Sequence, residues 1–202
     1  MRDLGTFTGR ENPNYPKSSY AADINARGQI VGLGSMGYGS LHAVRWQNGK
    51  MTDLGTLAKA RWDRRTLSEA MAINDRGQIL GESEKAVGDR HTVLWQQGKV
   101  VVLDKLGYFS AEAINDRGQI LGWGSTGAED KKGYSILHAF LWQNGKMIDL
   151  GTLPDGQDSE SAPTAINDLG QVIGDSASQG RCEDEYEVFA CHHAVLWTQK
   201  RG

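Results

Sequence analysis

The sequence predicts an all-β fold, a β-propeller of four blades with four antiparallel strands each, and three observations carry that reading. The stretch Ala72-Ile73-Asn74-Asp75-Arg76-Gly77-Gln78-Ile79-Leu80-Gly81 recurs in close copies at Ile24 to Gly32, Ile114 to Gly122 and Ile166 to Gly174. The copies stand about 40 to 50 residues apart, a period found in solenoids and propellers. Each is followed by a stretch running from His to Trp: His42 to Trp46, His91 to Trp95, His138 to Trp142 and His193 to Trp197.

Within one repeat, the first strand is expected at Ala70 to Ile73, matched by Ala21 to Ile24, Ala111 to Ile114 and Thr164 to Ile166. Asn74-Asp75-Arg76-Gly77 then supplies Asn at the first position and Gly at the last of a type I turn, so the second strand, Gln78 to Gly81, folds straight back. The His-to-Trp stretch is the third strand. Asn48-Gly49 and Asn144-Gly145 follow two of its copies, and Asn-Gly is a strong hairpin signal. The fourth strand is expected at Met51 to Thr56 and Met147 to Thr152, with Val100 to Asp104 a degenerate copy.

The chain is read as a single domain over 1–202, with blades at about 20–55, 68–104, 110–152 and 161–202 plus 1–6. Residues 1–6 enter the last blade because Met1-Arg2-Asp3-Leu4-Gly5-Thr6 resembles Met51 to Thr56. The N-terminal segment is thus expected to be the fourth strand that closes the ring, sparing the array an unpaired edge. A monomer closed in this way and a strand-exchanged dimer fit the same arithmetic.

Composition bounds the function. A net charge of -3 provides no global attraction to nucleic acid or to an anionic membrane. No run approaches the roughly 18 apolar residues of a membrane span, so no membrane insertion is expected. Met1 leads directly into Arg2-Asp3-Leu4-Gly5, which reads as no signal peptide. The only cysteines, Cys182 and Cys191, lie close together in a polar stretch; a disulfide between them is the expectation, with two free thiols the alternative.

The residues also resemble a known family. His138-Ala139-Phe140-Leu141-Trp142, then Gly145-Lys146-Met147 and Asp149-Leu150-Gly151-Thr152-Leu153, with Ala165-Ile166-Asn167 and Gly170-Gln171-Val172 downstream, is similar to the bacterial HAF repeat over nearly the whole chain. The resemblance implies an extracellular or envelope-associated repeat protein of unassigned biochemical role; the residues alone leave a cytoplasmic location open. The departures are His91-Thr92-Val93, Asp104-Lys105-Leu106 in place of Asp-Leu-Gly, and Asp23 where other copies have Ala.

Both tight turns of each repeat fall on one face of the expected ring, leaving the variable connections on the other. Those are 7–20, 57–68, 105–110 and 153–161 between repeats, and 33–41, 82–90, 123–137 and 175–192 within them. A rigid scaffold with variable loops on one side suits binding. The candidate ligand contacts there are Trp62 with Arg64, Tyr108, Trp123 and Tyr134, as aromatic anchors beside charge. The competing reading makes the Trp residues caps on the core and the charges solvated.

Leu33, Glu82, Trp123 and Asp175 follow the second strand and are expected near a central opening. Glu82 and Asp175, from opposite blades, would face each other across it as a cation or polar-ligand site, or as an acid and base pair. Four histidines at one repeat position invite a metal site, but at about 4.8 Å per strand they are too far from the axis to converge; each is expected to bond within its blade, to backbone or to the Asp of the fourth strand. No metal or cofactor is expected, Asp155, Asp158 and Glu160 being a weak calcium candidate. No nucleophile elbow, phosphate loop or zinc-protease motif is present. The leading reading is a non-enzymatic module binding a protein or glycan. A hydrolase or lyase using Glu82, Glu112 or Asp175 is the alternative, and a structural surface repeat the third.

Overall fold

A computed structural model describes residues 1–7, 17–37, 39–58, 66–103, 109–154, 160–183 and 188–198, with backbone only for 179–183 and 188–190. The chain divides into two compact units, Met1–Asp104 and Lys105–Gly202. The first holds β1 (Ser19–Ile24), β2 (Ile30–Gly37), β3 (Ser40–Gln47) and β4 (Lys50–Asp53), then β5 (Ser68–Ile73), β6 (Ile79–Ala86), β7 (Asp89–Gln96) and β8 (Lys99–Val102). The second holds β9 (Phe109–Ile114), β10 (Ile120–Glu129), β11 (Ser135–Gln143) and β12 (Lys146–Asp149), then β13 (Ser161–Ile166), β14 (Val172–Glu183) and β15 (Val188–Trp197). Each repeat is one antiparallel meander: three sheets have four strands and the last, β13-β14-β15, has three among the described residues.

The tight turns are built as the residue types dictate. Gly28 N–H donates to the Asn25 carbonyl at 2.9 Å, and the Asn25 side-chain oxygen accepts Arg27 N–H at 3.1 Å and Gln29 N–H at 3.0 Å. Gly28 sits at φ 70, as Gly77, Gly118 and Gly170 sit at 78, 78 and 79, a conformation that costs glycine nothing.

Two expectations about strands are corrected. The second strand does not stop at Gly32, Gly81, Gly122 or Gly174; it runs on for several residues into a long hairpin with the third. None of these glycines has a positive φ. They are glycines of close approach: the first strand carries a bulge opposite each, leaving Ala22, Met71, Glu112 and Thr164 unpaired, and a Cβ on Gly81 would sit inside the Glu69 carbonyl. The within-repeat connections expected as loops are therefore largely strand.

The second correction concerns the closing strand. Residues 1–7 lie in no strand. Their backbone is instead spent locally: Gly5 N–H donates to the Asp3 carboxylate at 2.8 Å and the Gly5 carbonyl accepts the Ser19 hydroxyl at 2.9 Å. Gly55 and Gly151 do the same with Asp53 and Ser68, and with Asp149 and Ser161. The Asp-Leu-Gly motif is thus a linker clamp that ties one repeat to the first strand of the next.

In the first unit, Val31 and Ala43 pack on Ala70, Ile73, Ile79, Val93 and Trp95 of the following repeat, with Leu54, Leu57 and Val102 at the margin. Polar ties reinforce that contact near the turns: Asn25 Nδ2 donates to the Asn74 carbonyl at 2.9 Å, Ala26 N–H to Asp75 at 2.7 Å and Ile73 N–H to Asp23 at 2.8 Å. The second unit repeats the scheme, Asn115 Nδ2 reaching the Asn167 carbonyl at 2.9 Å and Asp116 N–H reaching Asp168 at 2.8 Å. Cys191 forms a disulfide; the side chain of Cys182, the other cysteine, lies outside those described.

Candidate functional site

The bulge decides which side chains meet. Because Met71 is skipped, Glu69 rather than Ala70 pairs with Glu82 across the β5–β6 ladder. Like charges directly opposite one another are destabilising, and one cation offsets part of that cost: Arg90 Nη1 donates to Glu82 Oε2 at 2.7 Å. Glu84, two residues along the same strand, is only 7% exposed, and its carboxylate accepts a long bond of 3.4 Å from Gly88 N–H.

These groups rim a cleft of about 170 Å³ in the first unit, lined by Leu33, Leu41, Leu67, Ser68, Glu69, Glu82, Ser83, Glu84 and Arg90. Its geometry follows from the repeat contact. Leu41 bridges in parallel to Leu67, Leu41 N–H donates to the Thr66 carbonyl at 3.2 Å and Glu84 N–H to the Leu67 carbonyl at 2.9 Å. The three leucines form an apolar floor, and three carboxylates beside one guanidinium leave a net charge of about -2. The volume is below the roughly 300 Å³ of a drug-sized pocket, so it suits one ring-sized group. A carboxylate only accepts hydrogen bonds, so a fitting group must bring donors.

Of the sequence candidates, Glu82 is in this cleft, in mid-strand rather than on a loop. Asp175 and Trp123 occupy the same repeat position in the second unit, each with its own partner: Asp175 Oδ2 lies 2.6 Å from His192 Nδ1, and Trp123 Nε1 donates to Glu112 Oε1 at 2.9 Å. Glu112 is the bulge residue of its strand, and that is what aims its carboxylate at the ring. Tyr134 is 70% exposed at the end of the β10–β11 hairpin, its N–H held by Asp130 at 2.8 Å. Trp62, Arg64, Tyr108, Asp155 and Asp158 lie outside the described residues. Glu69, Glu84 and Arg90 were not singled out from the sequence; once the bulge is placed, strand pairing finds the first of them.

Two of the four repeated histidines act within the fold. His42 Nδ1 meets Asp53 at 2.9 Å and His138 Nδ1 meets Asp149 at 2.9 Å, the fourth-strand Asp in both cases. His42 Nε2 also lies 2.8 Å from Thr66 Oγ1, an Asp-His-Thr line with the look of a proton relay. Thr66, however, is 6% exposed, too enclosed to meet a substrate. The pair instead fastens Asp53 below its ordinary carboxylate range: burial raises the pKa, and the His42 hydrogen bond, the Gly55 N–H and the imidazole charge together outweigh it.

No family model matches the chain, and no curated protein matches it. Among solved structures, a mutant of Aleuria aurantia lectin in complex with alpha-methyl-L-fucoside is similar, at 11% identity and a TM-score of 0.37. The likeness covers 89% of this chain and 64% of the lectin chain, so this chain spans under two thirds of that protein's length.

Proposed function

We propose that this protein is a non-enzymatic binding module whose cleft over Leu33, Leu41 and Leu67 takes a hydroxyl-rich group, the terminal residue of a glycan. The observation that carries it is the carboxylate row Glu69, Glu82 and Glu84 beside the single Arg90. Sugar hydroxyls supply donors to such a row, while the ring's C–H face lies on the leucines; the guanidinium serves an acceptor oxygen. Glu112 and Asp175, the other carboxylates of the catalytic alternative, are each engaged by a neighbouring ring. In the same proposal the four sheets are propeller blades of HAF type, and the disulfide at Cys191 supports an exported protein, since oxidising compartments preserve such bonds.

A glycan array followed by calorimetric titration of the best ligand tests this. Glu82→Gln and Glu69→Gln are each expected to weaken binding about tenfold, the loss of one charge-assisted hydrogen bond. Retention of lysine-bearing peptides with no glycan retained, or binding indifferent to both substitutions, contradicts the reading.

A further inference from the structure

The cleft of the first unit holds more negative charge than its own residues neutralise, and the deepest of its carboxylates is the worst served. Glu82 has Arg90 Nη1 at 2.7 Å. Among the described residues, neither Glu69 nor Glu84 has a cation within ion-pair distance. Glu69 is exposed, so water can serve it. Glu84 is only 7% exposed. Its Oε1 accepts from Gly88 N–H at 3.4 Å, longer than the roughly 2.9 Å of an ordinary N–H···O bond, and its Oε2 has no partner among the described residues. A carboxylate so enclosed is costly unless something pairs with it.

The scaffold does not ask for that charge. Glu84 N–H donates to the Leu67 carbonyl at 2.9 Å, and the residues at the same repeat position, Ser35 and Ala177, make the same tie to Ser18 and Glu160, each at 2.9 Å. All three are buried. The backbone is therefore held alike whether the side chain ends in a carboxylate, a hydroxyl or a methyl group. Arg90, which pairs with Glu84 across the ladder, is likewise replaced by Leu41 in the first repeat and Leu137 in the third. The charges belong to this cleft and not to the repeat.

We propose that the sugar taken by the cleft carries a free, protonated amine: it is an amino sugar without an N-acetyl group, its ammonium directed to Glu84 and its ring on Leu33, Leu41 and Leu67. The inference rests on the glycan reading above and narrows it. Hydroxyl groups bring donors but leave the charge of about -2 in place; an ammonium brings three donors and a positive charge. N-acetylation removes that charge and adds a carbonyl, an acceptor facing acceptors. A metal ion is the other means of neutralisation, but no group of three His, Cys, Asp or Glu side chains among the described residues is arranged to hold one. An organic cation held by hydrogen bonds has no such requirement.

Calorimetric titration with a glucosamine trisaccharide and with its fully N-acetylated form tests this, at about pH 6, where the amine is protonated. The free-amine form is expected to bind at least about tenfold more tightly, the gain from one charge-assisted hydrogen bond. Glu84→Gln keeps the shape of the side chain without its charge and should erase most of that preference. Glu84→Ser installs the residue that the first and third repeats carry and should do the same, so a folding defect in one variant, seen by thermal melting, leaves the other to report. Equal or tighter binding of the N-acetylated form, or a preference that survives in a folded Glu84 variant, overturns the inference and leaves the glycan reading standing. Binding of neutral glycans from the array with no binding of the free-amine form has the same meaning. Failure of every glycan, with or without an amine, ends both.

Discussion

Asp53 shows how one side chain serves two repeats. It accepts from Gly55 N–H at 2.7 Å, shaping the linker, and meets His42, which in turn reaches Thr66 ahead of the next first strand. Its folded pKa is depressed, with burial opposing and the His42 and Gly55 contacts prevailing. A depressed carboxylate contributes stability that is present above its unfolded value, about 4, and is lost as pH falls through the folded value. Asp53→Asn should therefore lower the melting temperature at neutral pH, with the gap to wild type narrowing as the pH drops below about 4; a gap independent of pH would refute the account. Glycines divide in the same residue-specific way. Gly28→Ala meets open space and costs only the positive φ, about 1 kcal/mol. Gly81→Ala puts a Cβ into the Glu69 carbonyl and 2.9 Å from the Trp95 ring, and should cost about 3 kcal/mol by urea unfolding. Equal costs would show that the bulge yields. Asp23, odd in sequence because other copies have Ala, finds its reason here as the acceptor for Ile73 N–H of the next repeat.

Among the elements, turns were legible and strand lengths were not. Asn25 to Gly28 and its copies bend as their residue types require, because the signal is local: an Asn carboxamide reaching back to nearby N–H groups and a Gly at positive φ. The second-strand glycines look alike in sequence but answer to a neighbouring strand, so Gly81 reads as an ending when it is a point of close approach. The unread bulge had a larger consequence. Counting outward from the Asn74 turn without it pairs Ala70 with Glu82, and skipping Met71 pairs Glu69 with Glu82. A one-residue slip changes every later partner, which is why Glu82 was found as a candidate while the row it belongs to was not. Deleting Met71 should close the bulge while leaving Ala70 opposite Gly81 and Glu69 opposite Glu82, so ligand binding should persist while the first unit melts cooperatively; loss of binding in a folded deletion would contradict the idea that strand pairing makes the site.

At the scale of the molecule, each unit is a pair of repeats tied to one another. The clamps at Gly55 and Gly151, the Asn ties between turns and the apolar contact of Val31 with Ile79 and Trp95 all run from one repeat to the next. That dependence explains the cleft, which exists because two repeats of the first unit meet. The net charge of -3 leaves long-range attraction weak, so the proposed recognition relies on the local acidic row rather than on the field of the whole chain. The most direct measurement is backbone amide chemical-shift mapping of the wild type during titration with the glycan selected on the array. Shifts should gather at Leu67, Glu69, Glu82 and Arg90 and disappear in the Glu69→Gln, Glu82→Gln double variant; shifts centred on Trp123 and Tyr134 with those residues silent would contradict it.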